Sequence, residues 1–406
     1  MAISANLEIM AERSREGETD MATTEARSFL MPGKIVYGEG ALQQAAPSIA
    51  EMGRKALIVT DSMMVKLGNL DRLTRVLEAA GVDFSVYDGI NSEPVDKMVD
   101  GGIRRFSDDS CDFMIALGGG SPIDTMKAIA MCVASGEKIS SFMGKPYSGP
   151  VCPMVAIPTT AGTGSEATQF TIITDTENDI KMLIAGAPLI PALAIVDPVF
   201  TVTAPAGVTA ATGVDALCHA IEAYTSRKAQ PMSQVFALSA AKRIFAHLAT
   251  CVEESDNIDA RIQMSLAATE AGIAFNNASV TIIHGMSRPI GALFHVPHGL
   301  SNAMLMRPCL EFAAGGARGR FAELARFCGM SVADDDRVAT QELLCAIDSL
   351  LIRINIPSVL EYGIDRNAFL ASVEKMAFDA EASGSPANTL RNVSIEDIQE
   401  IYRSLV

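Results

Sequence analysis

Short apolar runs alternate with longer amphipathic segments over residues 34–196. The runs Lys55–Thr60 and 113–117 are continuously apolar and have the length of strands that are buried on both faces. The segments between them, such as residues 70–80, have apolar positions at helical spacing and a glycine just beyond the end. This alternation predicts a doubly wound α/β domain with a parallel sheet. The other predicted strands are Lys34–Tyr37, 84–87, 154–157, 170–173 and Leu193–Val196, and the other helices are 41–52 and 95–106.

The pattern changes near Asp197, where long Ala-, Leu- and Met-rich segments begin. Residues 209–226, 233–252 and 258–275 all have helical periodicity, and none of these segments has the pattern of a strand. We therefore predict an α/β domain over residues 29–200 and an all-helical domain over residues 201–406, joined by a proline-bracketed connection at about 198–206. Residues 1–28 are charged and lack an apolar core, so we expect a weakly ordered leader and not a signal peptide.

Composition excludes some classes of function. A net charge of -16 argues against nucleic-acid binding, because phosphate contacts require a basic surface. The eight cysteines are scattered without a C-x-x-C pair, which favours free thiols in a reducing cytoplasm. No apolar run is long enough to predict a membrane span. We expect a cytoplasmic protein with a small-molecule ligand.

Four side chains suggest a metal site. Asp215 and His219 are four residues apart in a predicted helix, so both leave the same face. His284 and His298 flank an apolar stretch broken by Pro289, which can fold back and bring the two imidazoles together. A carboxylate with three neutral imidazoles suits Zn²⁺ or Fe²⁺. Each residue alone would be an ordinary core histidine or surface pair, but three of the five histidines fall in this set.

A glycine run directly after the 113–117 strand suggests a phosphate site. Gly118, Gly119 and Gly120 let a diphosphate approach the backbone, and Ser121 is placed as the N-cap of the following helix. A plain tight turn is an equally good interpretation of the glycines alone, but their position at the carboxyl end of a strand favours a ligand. The loop at 158–166 adds hydroxyl groups that suit a cofactor, and could alternatively be a hydroxyl-rich turn.

Together these motifs resemble the iron-dependent (group III) alcohol dehydrogenase family. The resemblance extends from about Phe29 to near the C-terminus. The segments that carry it are 118–124, 158–166, 210–224, 284–287 and 297–303.

The resemblance implies a dehydroquinate synthase-like architecture and an NAD-dependent enzyme that interconverts an alcohol with its aldehyde or ketone. It also implies Fe²⁺, or Zn²⁺ as in some relatives, and a homo-oligomer that is a dimer or larger. The implied metal ligands are Asp215, His219, His284 and His298. The implied cofactor-binding residues are Asn91, Gly118, Gly119, Gly120, Ser121, Asp124, Thr159, Thr160, Thr163 and Lys181, the last of which orients the nicotinamide.

Two further residues affect the expected chemistry. Many members of the resembled family have a histidine where this chain has Arg288, and a guanidinium cannot relay protons at working pH. We expect His295 to replace that histidine. We expect Arg288 to pair with a carboxylate of the protein; the alternative is a carboxylate of the substrate. Because Pro289 follows Arg288, we also expect regular helix to be disfavoured at this position. Asp61 ends a strand, where it should favour NAD over NADP or, alternatively, cap the next helix.

Three more functions remain open from the sequence. A carbon-oxygen lyase of the dehydroquinate synthase type would need several basic residues near the metal, and only Arg288 and Arg307 are near the candidate ligands in sequence. A glycerol dehydrogenase-like zinc enzyme and a non-catalytic protein that binds metal and nucleotide also fit the motifs. NADH formation from simple alcohols would separate a dehydrogenase from the lyase and the non-catalytic protein.

Overall fold

The computed structural model describes residues 26–178 and 180–406. Most of the predicted leader, residues 1–25, lies outside this part of the chain. The strands are β1 Lys34–Tyr37, β2 Lys55–Thr60, β3 Asp83–Tyr87, β4 Phe113–Gly118, β5 Met154–Pro158, β6 Phe170–Asp175, β7 Ile180–Ala185 and β8 Leu193–Val196. The helices between them are α1 Ala41–Ala50, α2 Ser62–Lys66, α3 Asn69–Ala79, α4 Asp96–Asp108 and α5 Gly120–Ser135.

Six strands form one sheet in the order β1-β8-β5-β4-β2-β3, and every neighbouring pair is parallel. Alternate residues of a strand enter different cores: Leu57 packs in the cluster on one face and Ile58 in the cluster on the other. Both faces are therefore covered, as the continuously apolar runs predicted. The predicted parallel sheet is confirmed.

The remaining two strands form a separate antiparallel hairpin. β6 pairs with β7, with Phe170 opposite Ala185 and Thr174 opposite Lys181. β6 was predicted only as residues 170–173, and β7 was not predicted. In β7 the buried Met182 and Ile184 alternate with more exposed residues, so a half-buried strand was readable there. Lys181 therefore lies within a strand and not in a connection.

Helix α5 begins earlier than expected. Its N-cap is Gly119 and its first residue is Gly120, whereas Ser121 was predicted as the cap. The correction follows from the extended backbone of Gly119, after which the chain turns directly into the helix. Ser121 is therefore inside the first turn, where its backbone N–H is one of those that have no intrahelical partner.

The rest of the chain is helical, and the structure shows no strand within residues 197–406, as predicted. Its helices are α6 Ala206–Thr225, α7 Pro231–Glu253, α8 Ile258–Ala278, α9 Ile282–Phe294, α10 His298–Phe327, α11 Asp336–Arg353, α12 Arg366–Ala382 and α13 Ile395–Arg403. Within the described ranges, α7 alone is long and apolar enough to cross a membrane, and one of its faces packs against α6 and α8. The precise domain boundary stays a prediction.

Helix α9 differs from the expectation at Pro289. The helix continues through this residue to Phe294 and ends where His295 adopts a left-handed backbone with φ 55°. The predicted interruption at Pro289 is wrong. The helix persists because its other side chains, among them Ile283, Met286 and Ile290, are fully buried in the core, and burial outweighs the lost hydrogen bond.

Candidate metal and cofactor site

Helix α6 presents three ionisable side chains on one buried face. Asp215, His219 and Glu222 are spaced i, i+4 and i+7, so they lie one above another along the helix. Their exposed fractions are 1%, 5% and 0%. Polar groups this deeply buried need partners, and the partners come from α9 and α10.

The turn between α9 and α10 brings two more imidazoles to Asp215. His284 Nε2 lies 3.5 Å from Asp215 Oδ1, and His298 Nε2 lies 3.8 Å from the same oxygen. The start of α10 can approach α6 closely because Gly299 has no side chain; a Cβ there would be 2.6 Å from the carbonyl oxygen of Ala211. The ligand atoms of Asp215, His284 and His298 all lie within 4.8 Å of one another.

His219 lies beside this group of three. Its ring stacks on His284, with centroids 4.4 Å apart, and on Phe275 of α8, with centroids 4.2 Å apart. Its Nδ1 is buried and has no hydrogen-bond partner in the described structure. The structure thus brings three of the four predicted ligands together and places the fourth next to them with an unpartnered nitrogen.

This donor set fits a divalent transition metal. Ligand atoms at about 2.1 Å from a tetrahedral ion are about 3.4 Å apart, close to the separations found here. One carboxylate with neutral imidazoles suits Fe²⁺ or Zn²⁺. A buried imidazole nitrogen without a partner is costly, and an ion beside it would remove that cost.

Glu222 orients the ring of His284 through its Nδ1. One carboxylate oxygen accepts hydrogen bonds from Thr281 Oγ1 and the Ile283 amide, both at 2.7 Å, and the other contacts His284 Nδ1. Nδ1 is therefore the protonated nitrogen that donates to Glu222, which leaves Nε2 for a metal. Glu222 was not predicted as a site residue, although its spacing from Asp215 and His219 on one helical face would have indicated it.

Asn302 of α10 also reaches the three ligand atoms. Its Nδ2 donates to Asp215 Oδ1 at 2.7 Å and lies 3.2 Å from His284 Nε2 and 3.3 Å from His298 Nε2. Asn302 is fully buried. It was not predicted either, and its position four residues after His298 on the same helix is the signal that would have found it.

The pKa values of the imidazoles differ because their neighbours differ. Burial lowers the pKa of His219 to about 3. Burial also lowers the pKa of His284, but Glu222 and Asp215 outweigh it and raise that pKa to about 9. Burial would raise the pKa of Asp215, but the imidazoles around it hold the pKa well below the usual range. His219 and Asp215 are thus ready to bind a cation at neutral pH, whereas His284 must first lose a proton.

Metal binding should therefore release a proton. Below pH 9 the metal has to displace the Nε2 proton of His284, so the apparent affinity for Zn²⁺ should rise about tenfold per pH unit and level off above about pH 9. Calorimetry in buffers of different protonation enthalpy measures the released proton. Glu222→Gln should lower the pKa of His284 and reduce the release at neutral pH. Zn²⁺ binding that is independent of pH in the unaltered protein would contradict this assignment.

The predicted cofactor loops meet at the carboxyl ends of β4 and β5. A Cβ on Gly120 would lie 3.0 Å from Thr163 Cγ2, and a Cβ on Gly119 would lie 3.3 Å from Thr160 Oγ1. The amide of Thr159 donates to the carbonyl oxygen of Gly118 at 3.0 Å. The glycine run and the loop at residues 158–166, here called the threonine loop, thus form one surface at the N-terminus of α5. Free N–H groups and the helix dipole favour a phosphate there.

Asp124 and Lys127 support the threonine loop from beneath. The carboxylate of Asp124 accepts Ser165 Oγ at 2.6 Å and the Ile172 amide at 3.0 Å, so both oxygens are used within the protein. The fully buried ammonium of Lys127 donates to the carbonyl oxygens of Ser165, Thr168 and Phe170 at 2.7 to 2.9 Å. These contacts place Asp124 beneath the loop, and its expected contact with the cofactor stays a prediction.

The same loop contacts the helical half. Gly164 has φ +62°, and a Cβ there would lie 2.6 Å from the Cα of Gly272 in α8. Phe275, also in α8, stacks on Phe170 of β6 with centroids 6.1 Å apart. Because Phe275 also stacks on His219, the metal ligands lie next to the hairpin that follows the threonine loop.

The remaining predicted cofactor residues are Asp61, Asn91 and Lys181. Asp61 Oδ1 caps α2 by accepting the amides of Met63 and Met64, and Oδ2 has no hydrogen bond within the described chain. Asn91 is exposed in the loop after β3. Lys181 Nζ is paired with Glu93 Oε2 at 2.5 Å, so it is held at the hairpin by an ion pair.

Two residues were expected to change the chemistry, and the role expected of His295 stays a prediction. His295 is exposed at the end of α9, and its ring is not stacked on those of the described ligands. Arg288 has no carboxylate within 4.0 Å in residues 26–178 and 180–406, so the expected internal ion pair is absent there. Burial lowers the pKa of Arg288 and the charge of Glu222 raises it, but the Glu222 carboxylate is engaged by His284, Thr281 and Ile283.

Two sequence models of one family match most of the chain. The model described as "Iron-containing alcohol dehydrogenase" matches residues 32–198, and the model described as "Fe-containing alcohol dehydrogenase family, C-terminal" matches residues 209–406. The NAD-dependent methanol dehydrogenase of Bacillus methanolicus is 34% identical over 381 residues, which are 93% of this chain and 99% of that protein.

Solved structures give the same result. The crystal structure of a 1,3-propanediol oxidoreductase has a TM-score of 0.90 and 32% identity, covering 94% of this chain and 100% of that chain. Sulfoacetaldehyde reductase from Bifidobacterium kashiwanohense, solved in complex with NAD+, has a TM-score of 0.84 and 28% identity, with 94% and 99% covered.

Proposed function

This chain belongs to the iron-containing alcohol dehydrogenase family, and from that premise we propose that it is an NAD-dependent alcohol dehydrogenase whose metal is Fe²⁺, with Zn²⁺ as the alternative. It transfers a hydride between NAD(H) and a primary or short-chain alcohol or aldehyde, including diols and hydroxy acids. The observation that carries the proposal is the convergence of Asp215, His284 and His298, with their ligand atoms within 4.8 Å of one another. Fe²⁺ is preferred over Zn²⁺ on family membership, since the donor set suits both.

The chain's own side chains bind and orient the reactants. Asp215, His284 and His298, with His219 as the fourth ligand, hold the metal, and Glu222 fixes the tautomer of His284. When bound, the metal supplies a Lewis acid for the substrate oxygen and the nicotinamide of NAD accepts the hydride. The ring of Phe275 stacks on both Phe170 and His219 and so covers one face of the His219 imidazole.

The cofactor is held mainly by backbone groups. The first-turn N–H groups of α5, at Gly120 and Ser121, bind the diphosphate, and Thr159, Thr160 and Thr163 line the adjacent surface. Lys181, fixed by Glu93, orients the nicotinamide half. The open side of the site is at His298, whose side chain is 41% exposed, so a proton released on alcohol oxidation reaches solvent there.

The lyase alternative is not favoured by the structure. It requires several basic side chains around the metal, but the guanidinium of Arg307 is paired with Asp348 at 2.9 Å and with Glu311 at 2.8 Å. Only Arg288 remains as a cation without an acidic partner near the described ligands. A single free guanidinium suits one anionic group and not a multiply charged sugar phosphate.

The proposal is tested by activity. Protein purified without oxygen and loaded with Fe²⁺ should form NADH steadily from at least one of a set of primary alcohols, diols and hydroxy acids, and a chelator should abolish the reaction. The same screen with Zn²⁺-loaded protein shows which of the two metals gives the faster NADH formation. Absence of NADH formation across the set, with metal and NAD both bound, would contradict the proposed function.

A second test concerns cofactor choice. At the end of β2, Asp61 has one carboxylate oxygen that accepts no hydrogen bond within the described residues; this oxygen can accept ribose hydroxyls and would repel a 2′-phosphate. NAD should therefore be preferred to NADP. Asp61→Asn should lower the ratio of kcat/KM for NAD to kcat/KM for NADP by at least about tenfold. The amide oxygen of asparagine can still cap α2, so the helix is retained. An unchanged preference would leave Asp61 as a helix cap only.

A cytoplasmic location and a homo-oligomeric state, a dimer or larger, belong to the same proposal. The support for a reducing compartment is that all eight cysteines are free, six of them buried. Size-exclusion chromatography with light scattering would determine the number of subunits.

A further inference from the structure

Arg288 is a partly buried cation with no acidic partner in the part of the chain that the structure describes. It lies on α9 four residues after His284, so its side chain leaves the same face of the helix as that metal ligand. Among the described residues its side chain donates one hydrogen bond, to Ser385 Oγ at 3.2 Å, which uses a single donor of the five on the guanidinium. Burial lowers the pKa of Arg288, and a guanidinium nevertheless stays charged at working pH.

The acidic groups in the neighbourhood are already used. Glu222, whose negative charge opposes the lowering of the Arg288 pKa by burial, accepts three hydrogen bonds, from Thr281, Ile283 and His284. Asp215 faces the imidazoles and Asn302. Throughout residues 26–178 and 180–406, no carboxylate oxygen lies within the 4.0 Å that defines an ion pair with Arg288. A buried unpaired charge is costly unless a ligand supplies the counter-ion.

The charge balance of the site leads to the same conclusion. Asp215 and Glu222 together neutralise a divalent metal, and Lys181 is neutralised by Glu93. Of the charges that the described residues supply, that of Arg288 then remains uncompensated on the metal-ligand face. An anion that enters with the substrate would neutralise it and could form a bidentate pair with the guanidinium.

We propose that Arg288 binds the anionic group of the substrate, so that the preferred substrates are alcohols or aldehydes with a carboxylate or sulfonate at the end away from the reacting carbon. This inference rests on the proposed dehydrogenase function and narrows its substrate class. The fork of donors on the guanidinium fits the planar oxygens of a carboxylate and two oxygens of a sulfonate equally. Neutral alcohols can still reach the metal but lack this contact.

The test compares two probes of nearly equal size, 4-hydroxybutanoate and 1,4-butanediol, with metal-loaded enzyme and NAD. Arg288→Gln should lower kcat/KM for 4-hydroxybutanoate by about 100-fold, because a hydrogen-bonded charge pair is lost, and should change kcat/KM for the diol less than about threefold. Arg288→Lys keeps the charge without the fork and should give an intermediate loss for the acid. Arg307→Gln, which removes an arginine that is paired with Asp348, should change the ratio of the two substrates little.

A binding measurement separates this inference from the proposed function. Calorimetry of 4-hydroxybutanoate with the metal-loaded NADH complex, in which no turnover occurs, should show the same loss of affinity in Arg288→Gln. Equal losses for acid and diol, or unchanged binding of the acid, would overturn the inference while leaving the dehydrogenase proposal intact. If the only effect of Arg288→Gln is a higher KM for NAD, Arg288 binds the cofactor, and the inference is likewise overturned. If no alcohol is oxidised, the proposed function fails, and the binding measurement still decides the role of Arg288.

Discussion

Replacement of His284 by alanine should remove the bound metal and lower kcat/KM for alcohols by at least about a thousandfold, because Lewis-acid stabilisation of the reacting oxygen contributes several kcal/mol. His284 is only 3% exposed, and its Nε2 lies 3.5 Å from Asp215 Oδ1. The two histidines outside the ligand set are His247, which lies in α7, and His295, which is exposed at the end of α9. Metal content by mass spectrometry and steady-state kinetics measure the two effects.

A matched control is available for this variant. His247 lies in α7, away from the metal ligands, so His247→Ala should retain both metal and turnover. The far-UV circular dichroism of His284→Ala should resemble that of the unaltered protein, since the removed ring borders a ligand site. A His284→Ala protein that keeps its metal and near-normal turnover would show that the assigned ligand set is wrong.

Replacement of Lys127 by methionine should lower the free energy of unfolding by about 3 kcal/mol or more. The substitution keeps an unbranched side chain but leaves the buried carbonyl oxygens of Ser165, Thr168 and Phe170 without their common donor. Because these residues lie at the end of the threonine loop, KM for NAD should rise as well. Thermal or urea denaturation gives the stability, and initial rates at varied NAD give KM.

The control for this substitution is Lys138→Met, at an exposed lysine just after α5. A surface change of this kind should alter stability by no more than about 0.5 kcal/mol. If Lys127→Met is as stable as Lys138→Met, the contacts between the ammonium and its neighbouring oxygens do not support the loop. If Lys127→Met is destabilised but binds NAD normally, the loop geometry does not depend on this lysine.

The metal-ligand candidates were readable from the sequence because their spacing follows from helix geometry. Asp215 and His219 needed only the i, i+4 rule, and the glycine run was placed correctly because it directly follows a strand. Glu222 obeys the same periodicity and was missed because a glutamate in a helix is ordinarily a surface residue. Its burial depends on Thr281 and Ile283, which are far away in sequence, so only the fold shows its role.

Contacts between distant segments account for the other differences. Lys127 belongs to an apolar helix, but its partners are some 40 residues later and come from a loop without regular pattern. The partner of Arg288 was expected within the protein because a buried cation usually has one. The described residues supply no such partner, and no local pattern indicates that Glu222 accepts hydrogen bonds from Thr281, Ile283 and His284 instead.

The proposed function depends most directly on a metal that is held by the chain and required for hydride transfer. Chelator-treated protein should be titrated with Fe²⁺ under nitrogen while NADH formation from 1,3-propanediol and 4-hydroxybutanoate is followed by absorbance. We expect no NADH formation at the start, a linear rise with added metal and saturation at a stoichiometric equivalent, with no response from His284→Ala. NADH formation at full rate before any metal is added, or none from either substrate after saturation, would contradict the proposed function.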